Sequence, residues 1–126
     1  SGKIDSEIKQ AKINYKAQKE STLLVKRLVE QDIALAWSNV LVSKASIEAR
    51  KRQVESSSLA YDGVVVEEKL GTRTTLDVIN AEQSLLDART QLASAERELT
   101  YARFALLAAT GELNLKKLNI ADPKIN

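Results

Sequence analysis

Eleven apolar positions in the second half of this chain alternate spacings of three and four without a miss: Val78, Ala81, Leu85, Ala88, Leu92, Ala95, Leu99, Ala102, Leu106, Ala109 and Leu113. A repeat averaging 3.5 residues keeps one line of side chains against a partner only when two helices wind left-handed about each other. Strands repeat every two residues, so the pattern excludes them here. Ala at every second site lets a neighbouring backbone approach closely. A second row, Ile79, Leu86, Ala93, Thr100 and Leu107, runs beside the first. This helix therefore carries more than one partner-facing stripe, as a helix in a sheet-like array of helices needs. Thr110-Gly111 reads as its end, giving about 35 residues over 76–110, or ~50 Å. Glu112 to Asn119 reads as one or two further turns before Asp122-Pro123.

The first half is equally committed to helix. From Ile4 to Leu70 there is no Pro, Gly63 is the only Gly, and Lys, Glu, Gln, Ala and Leu dominate. Ile33, Val40, Ile47, Val54 and Tyr61 are spaced by seven, and Ile4, Ile8, Ala11 and Tyr15 form an apolar row nearer the start. This predicts one continuous helix of about 67 residues, ~100 Å long, weakest at Glu55-Ser56-Ser57-Ser58. Between the helices, Gly71 can take the positive φ that closes a helix C-terminus. Thr74 followed by Asp77 reads as a capping box with Asp in place of Glu. The fold class expected is thus all-α: an antiparallel coiled-coil hairpin with a tight turn at 71–75. On these lengths the second helix covers only Trp37 to Leu70, and the apolar positions from Ile4 to about Ala36 need a partner outside this chain.

Composition narrows the function. There is no Cys and no His, which removes thiol chemistry, disulfides, and the commonest general base and metal ligand. Without His, the Asp and Glu residues have no bundle-type metal motif to complete. Neither catalysis nor a cofactor or metal is expected. The net charge of +2, with signs interleaved, does not suit nucleic acid. No apolar run approaches 18 residues and no leader-like start occurs, so this piece is expected to hold neither a transmembrane helix nor a signal peptide. Lacking any Met, the chain reads as processed or cut from something longer.

The turn and its flanks resemble the TolC family of outer-membrane ducts. Beside a family pattern close to L-x-G-V-x-x-E-x-x-x-G-x-R-T-x-L-D-V-L-N-A-E, this sequence reads Ala60-Tyr61-Asp62-Gly63-Val64, Glu67, and Gly71-Thr72-Arg73-Thr74-Thr75-Leu76-Asp77-Val78-Ile79-Asn80-Ala81-Glu82. Leu85-Leu86-Asp87-Ala88-Arg89 and Leu106-Leu107-Ala108-Ala109-Thr110-Gly111-Glu112-Leu113 continue the likeness, and Ser1-Gly2-Lys3-Ile4 looks like the family's passage from a membrane strand into its long helix. The resemblance covers residues 1 to about 118. It implies a homotrimer with a β-barrel in the outer membrane of a Gram-negative bacterium and an α-helical barrel in the periplasm. This chain would be the periplasmic hairpin of the second repeat, with a short equatorial segment at 112–126. The tip residues Gly71, Thr72, Arg73 and Thr74 would meet a membrane-fusion adaptor, itself joined to an inner-membrane pump or ABC transporter for multidrug efflux or type I protein secretion. Asp77 and Asn80 would line the entrance. Some members carry a second acid where this chain has Asn80.

Each of these positions also has a plainer role. Arg73 can be a solvated turn cation. Asp77 can serve as a helix N-terminal carboxylate while also facing an entrance. Arg50-Lys51-Arg52, flanked by Glu48 and Glu55, reads as a solvated face, and Trp37 reads as a packing anchor against the end of the second helix. The alternative to a duct is a coiled-coil interaction module, an adaptor hairpin or scaffold without a channel. A generic scaffold has no need of Gly-Thr-Arg-Thr-Thr-Leu-Asp at its bend.

Overall fold

The computed structural model describes residues 2–121. Two helices account for nearly all of it: α1, Gly2–Lys69, of 68 residues, and α2, Thr75–Ala121, of 47 residues. No strand occurs among the described residues, and the all-α hairpin expected from the periodicity is what forms. α1 passes unbroken through Glu55–Ser58 and through Gly63. None of its described helices is long and apolar enough to cross a membrane.

α2 departs from expectation at its far end. It does not stop at Thr110-Gly111 but runs on to Ala121. Gly71 is the one glycine with positive φ, at 82°, so Gly111 does not adopt the conformation that ends a helix. A helical Gly costs only about 1 kcal/mol relative to Ala, and Leu113 and Leu115 continue an apolar pattern beyond it. The Thr110 hydroxyl donates back to the Leu106 and Leu107 carbonyls at 3.1 and 2.9 Å, staying inside the helix. The segment after Ala121, including Asp122-Pro123, lies outside the described residues.

The chain divides into two compact units, one of residues 37–105 and one combining the stretches up to Ala36 and from Leu106 onward. In the first, the buried side chains are Val40 and Ile47 from α1 and Leu85, Ala88 and Ala95 from α2. Val54, Tyr61, Val64, Val78, Ala81, Leu92, Leu99 and Ala102 are half-buried around them. In the second, Val29, Ala36 and Ala109 are buried and Thr22, Val25, Ile33 and Leu106 half-buried. Ten of the eleven seam positions on α2 are therefore covered; the eleventh, Leu113, lies outside the residues whose side chains are described. The longer α2 also moves the limit of cover on α1. Counted back from Lys69, 47 residues reach Leu23, and residues 2–21 are all exposed whereas Val29 and Ala36 are not. The uncovered stretch of α1 ends near residue 21, not at Ala36.

α1 has a covered row that the heptad of Ile33 to Tyr61 did not include: Thr22, Val29, Ala36, Ser43, Ser57 and Val64, spaced by seven with Arg50 at the missing place. Arg50 stays exposed and donates through Nη1 to Gln91 Oε1 on α2. Lys51 pairs with Glu48 at 3.4 Å on the surface. Trp37 is not a packing anchor within this chain, for it is 53% exposed. It stands one residue past seam position Ala36, a rotation of about 100° that carries it out of the groove.

Among the described residues no side chain is fully enclosed, and Ile4, Leu28, Leu35, Trp37, Leu86, Phe104 and Leu107 are among the large apolar residues left exposed. The accessible surface is 9905 Å², against roughly 6,700 Å² for a globular protein of this mass. The excess is ordered. On α1, Leu28, Leu35, Val42, Ala49, Ser56 and Gly63 repeat every seven residues, all exposed. On α2, the second row of Ile79, Leu86, Ala93, Thr100 and Leu107 is likewise exposed. The α1 stripe precedes its buried row by one residue and the α2 stripe follows its own by one. Because the helices are antiparallel, these offsets turn the stripes in the same rotational sense, and in the unit of residues 37–105 they point away from each other.

Candidate functional site

The turn between the helices is built from two successive caps. At the end of α1, Gly71 N–H donates to the Glu68 carbonyl and Thr72 N–H to the Glu67 carbonyl, both at 2.9 Å. With Gly71 left-handed, this is a Schellman closure that satisfies two of the four carbonyls a helix end leaves unpaired. The Thr72 hydroxyl adds a third bond, 2.9 Å to the same Glu67 carbonyl. At the start of α2, Asp77 N–H donates to Thr74 Oγ1 at 3.2 Å and Thr74 N–H donates to Asp77 Oδ2 at 3.0 Å. Val78 N–H then makes the first helical bond, to the Thr74 carbonyl at 3.3 Å. This reciprocal pair is the capping box read from the sequence, and Asp serves as well as Glu because one methylene fewer still reaches the N-cap amide.

Arg73 sits between the two caps, exposed, with Nε donating to Glu67 Oε2 at 2.7 Å. The Glu67 hydrogen bond, then the Glu67 charge and the Asp77 charge, raise the Arg73 pKa further above its ordinary value, so it is a permanent cation. Asp77 is held below the usual carboxylate range by the Thr74 backbone N–H first, then by the Thr74 side chain and the Arg73 charge, against a smaller opposing effect of burial. A carboxylate that accepts hydrogen bonds in its charged form is stabilised in that form. Asp77 is therefore an anion fixed in place by its role as a cap.

The structure thus places Gly71, Thr72 and Arg73 in the closure of α1, around Glu67 and Glu68, and Thr74 and Asp77 in the box that opens α2. Asn80 stands apart from both: it is exposed, three residues along α2 from Asp77 and on the same helix face. Its backbone carbonyl accepts from the Ser84 hydroxyl at 3.1 Å. Glu67 is the tip residue whose part the sequence did not reveal. It belongs to the motif, yet its pairing with Arg73 spans six residues across a left-handed glycine, outside the i, i+3 and i, i+4 rules that hold within a helix. The signal available was the Schellman geometry itself, which folds the residue four before Gly71 back over the turn.

Beyond the tip, a shallow cleft of about 280 Å³ lies between the helices, lined by Ser58, Tyr61, Asp62, Glu82, Leu85, Leu86 and Arg89. It opens widely to solvent and brings no set of groups to bear on a common point. Among the described residues no group of His, Cys, Asp and Glu is placed to hold a metal ion.

Comparison with known proteins assigns the chain. A model of the outer membrane efflux protein family matches residues 1–112. The chain is 35% identical over 119 residues to the outer membrane efflux protein BepC of Brucella suis biovar 1 (strain 1330), covering 94% of this chain and 26% of that protein. It is 32% identical over 117 residues to the outer membrane protein TolC of Salmonella enteritidis and 31% over 117 residues to that of Escherichia coli (strain K12); each match covers 93% of this chain and 24% of the relative. The chain therefore spans about a quarter of the length of these relatives. No solved structure matches it. With the family model matching all but the last 14 of 126 residues, and a helical hairpin beneath that match, the chain belongs to the outer membrane efflux protein family, of TolC type.

Proposed function

We propose that this chain is a wall segment of an outer-membrane export duct: a hairpin of a periplasmic α-helical tunnel, in a homotrimer whose missing parts include a β-barrel in the outer membrane of a Gram-negative cell. The observation that carries the reading is the pair of exposed heptad stripes that point away from each other in the unit of residues 37–105, Val42 to Gly63 on α1 and Ile79 to Thr100 on α2. A two-helix interaction module has one seam and needs no second. A helix inside a closed array has a neighbour on each side and needs two. Exposed apolar surface on this scale is covered in the working protein.

At the tip, Gly71, Thr72, Arg73 and Thr74 form the docking surface for a membrane-fusion adaptor, and Asp77 and Asn80 line the entrance. An inner-membrane pump or ABC transporter supplies the energy, for multidrug efflux or for type I secretion. The duct itself does no chemistry; its mechanism is the opening and closing of a water-filled passage. The test is electrical. Full-length protein reconstituted in a planar bilayer should conduct ions in discrete steps, and Asp77→Asn should change the cation preference of the open state. A full-length protein that inserts into the bilayer and passes no current would overturn the duct in favour of the interaction module.

A further inference from the structure

We propose that Glu67 is the positioning residue of the tip: it grips the Arg73 guanidinium by Nε–H and so presents the opposite Nη1–Nη2 edge to a carboxylate on the facing hairpin. The inference rests on the docking reading of the tip.

A guanidinium carries five N–H donors in a rigid plane, and its outer edge offers two parallel bonds that match the two oxygens of a carboxylate. Glu67 takes the Nε donor at 2.7 Å. Among the described residues the terminal nitrogens of Arg73 make no hydrogen bond or ion pair. The grip is itself anchored, because the Glu67 carbonyl accepts from both the amide and the hydroxyl of Thr72. Glu67 is thus fixed to the residue immediately before the one it holds. The neighbouring acid Asp77 accepts from the Thr74 amide and makes no hydrogen bond to the guanidinium.

Two consequences follow for docking. An arginine held in one rotamer before contact does not lose that freedom on contact, which is how preorganisation raises affinity. The direction of its free edge is also fixed relative to the α1 axis, so a facing carboxylate is met bidentately in a single orientation. Lys at position 73 would give neither, since an ammonium has no second edge once one donor is taken.

The experiment is a double-mutant cycle in the full-length protein, read as in-cell cross-linking between the tip and the epitope-tagged membrane-fusion adaptor of the same organism, with duct oligomer measured alongside. Glu67→Ala should lower the cross-linking yield roughly threefold, the scale of one exposed ion pair, with the oligomer unchanged. Glu67→Gln, which keeps an acceptor oxygen but loses the charge, should lose less. In an Arg73→Ala background, Glu67→Ala should have no further effect, since a residue that acts through Arg73 has nothing left to position. The same loss in both backgrounds would make Glu67 a plain helix-end residue, and a gain on Glu67→Ala would make it a competitor for the partner's site. Either result overturns the inference while leaving the docking reading intact. Cross-linking untouched by Arg73→Ala itself would instead sink the docking reading, and the positioning role with it.

Discussion

Leu86→Glu in the full-length protein should abolish assembly of the oligomer while leaving the hairpin folded. Leu86 is 55% exposed in the single chain, and substitutions at such positions usually change stability by no more than about 0.5 kcal/mol. Its place on the outward stripe of α2 gives it a different environment in the assembly. There a leucine contributes about 1.5–3 kcal/mol by burial, and a glutamate buried without a partner costs several kcal/mol more. In a symmetric oligomer the penalty recurs at every copy. The residue beside it provides the control. Leu85 is 6% exposed, in the seam between α1 and α2, so Leu85→Ala should destabilise the hairpin itself by about 2 kcal/mol, the low end for a leucine cavity because two helices can close in on it. Sedimentation of the full-length protein and thermal melting of the isolated chain separate the two effects. Adjacent residues should give opposite phenotypes: Leu86→Glu a normal melt and no oligomer, Leu85→Ala a lowered melt.

Arg73→Glu should eliminate adaptor cross-linking and export with oligomer levels unchanged. The turn is closed by bonds that do not involve the Arg73 side chain: the Schellman pair, the Thr72 hydroxyl and the Thr74–Asp77 box. The tip should therefore keep its shape when that side chain changes. What is lost is the one permanent cation of the turn, replaced by a carboxylate facing Glu67 and any acidic partner. The charge swap Glu67→Arg with Arg73→Glu isolates the cause. It restores an internal ion pair and removes the repulsion within the tip, but it moves the guanidinium from the turn to the helix. If docking depends on Arg73 reaching outward, the swap should remain defective. Recovery of export in the swap would mean that Arg73 serves only to pair with Glu67.

How far the sequence carries the fold is clearest on α2. Its seam was legible to the residue, because a 3.5 repeat leaves only one face that a single partner helix can cover, and Leu85, Ala88, Ala95 and Ala109 are the buried ones among the described residues of that helix. The turn was legible for a different reason: Gly71 and the Thr74/Asp77 pair are local chemistry that depends on nothing distant. The errors share a cause. Gly111 was read as a stop from its identity alone, yet a glycine ends a helix only where the chain turns into a left-handed conformation, and here the apolar phase simply continues. The misplaced end of α2 then misplaced the limit of cover on α1. Trp37 was assigned by its distance along the chain and not by its heptad phase, which sets it one step outside the seam. Arg50 at a seam position and Glu67 at the tip were obscured because each pairs across a turn or between helices, with Gln91 and Arg73 respectively.

In the proposed duct the outward stripes are helix contacts in a closed array. Cysteine reactivity tests this most directly, since this chain has no thiol of its own. Single cysteines at Leu86 and Leu35 on the two stripes, and at Gln91 off them, can be challenged with a bulky maleimide, first in the isolated chain and then in the assembled full-length protein. All three should react in the isolated chain. In the assembly, Leu86→Cys and Leu35→Cys should become protected together while Gln91→Cys stays reactive. Stripe cysteines that label as fast in the assembled protein as in the single chain would contradict the account, leaving a hairpin that stands alone.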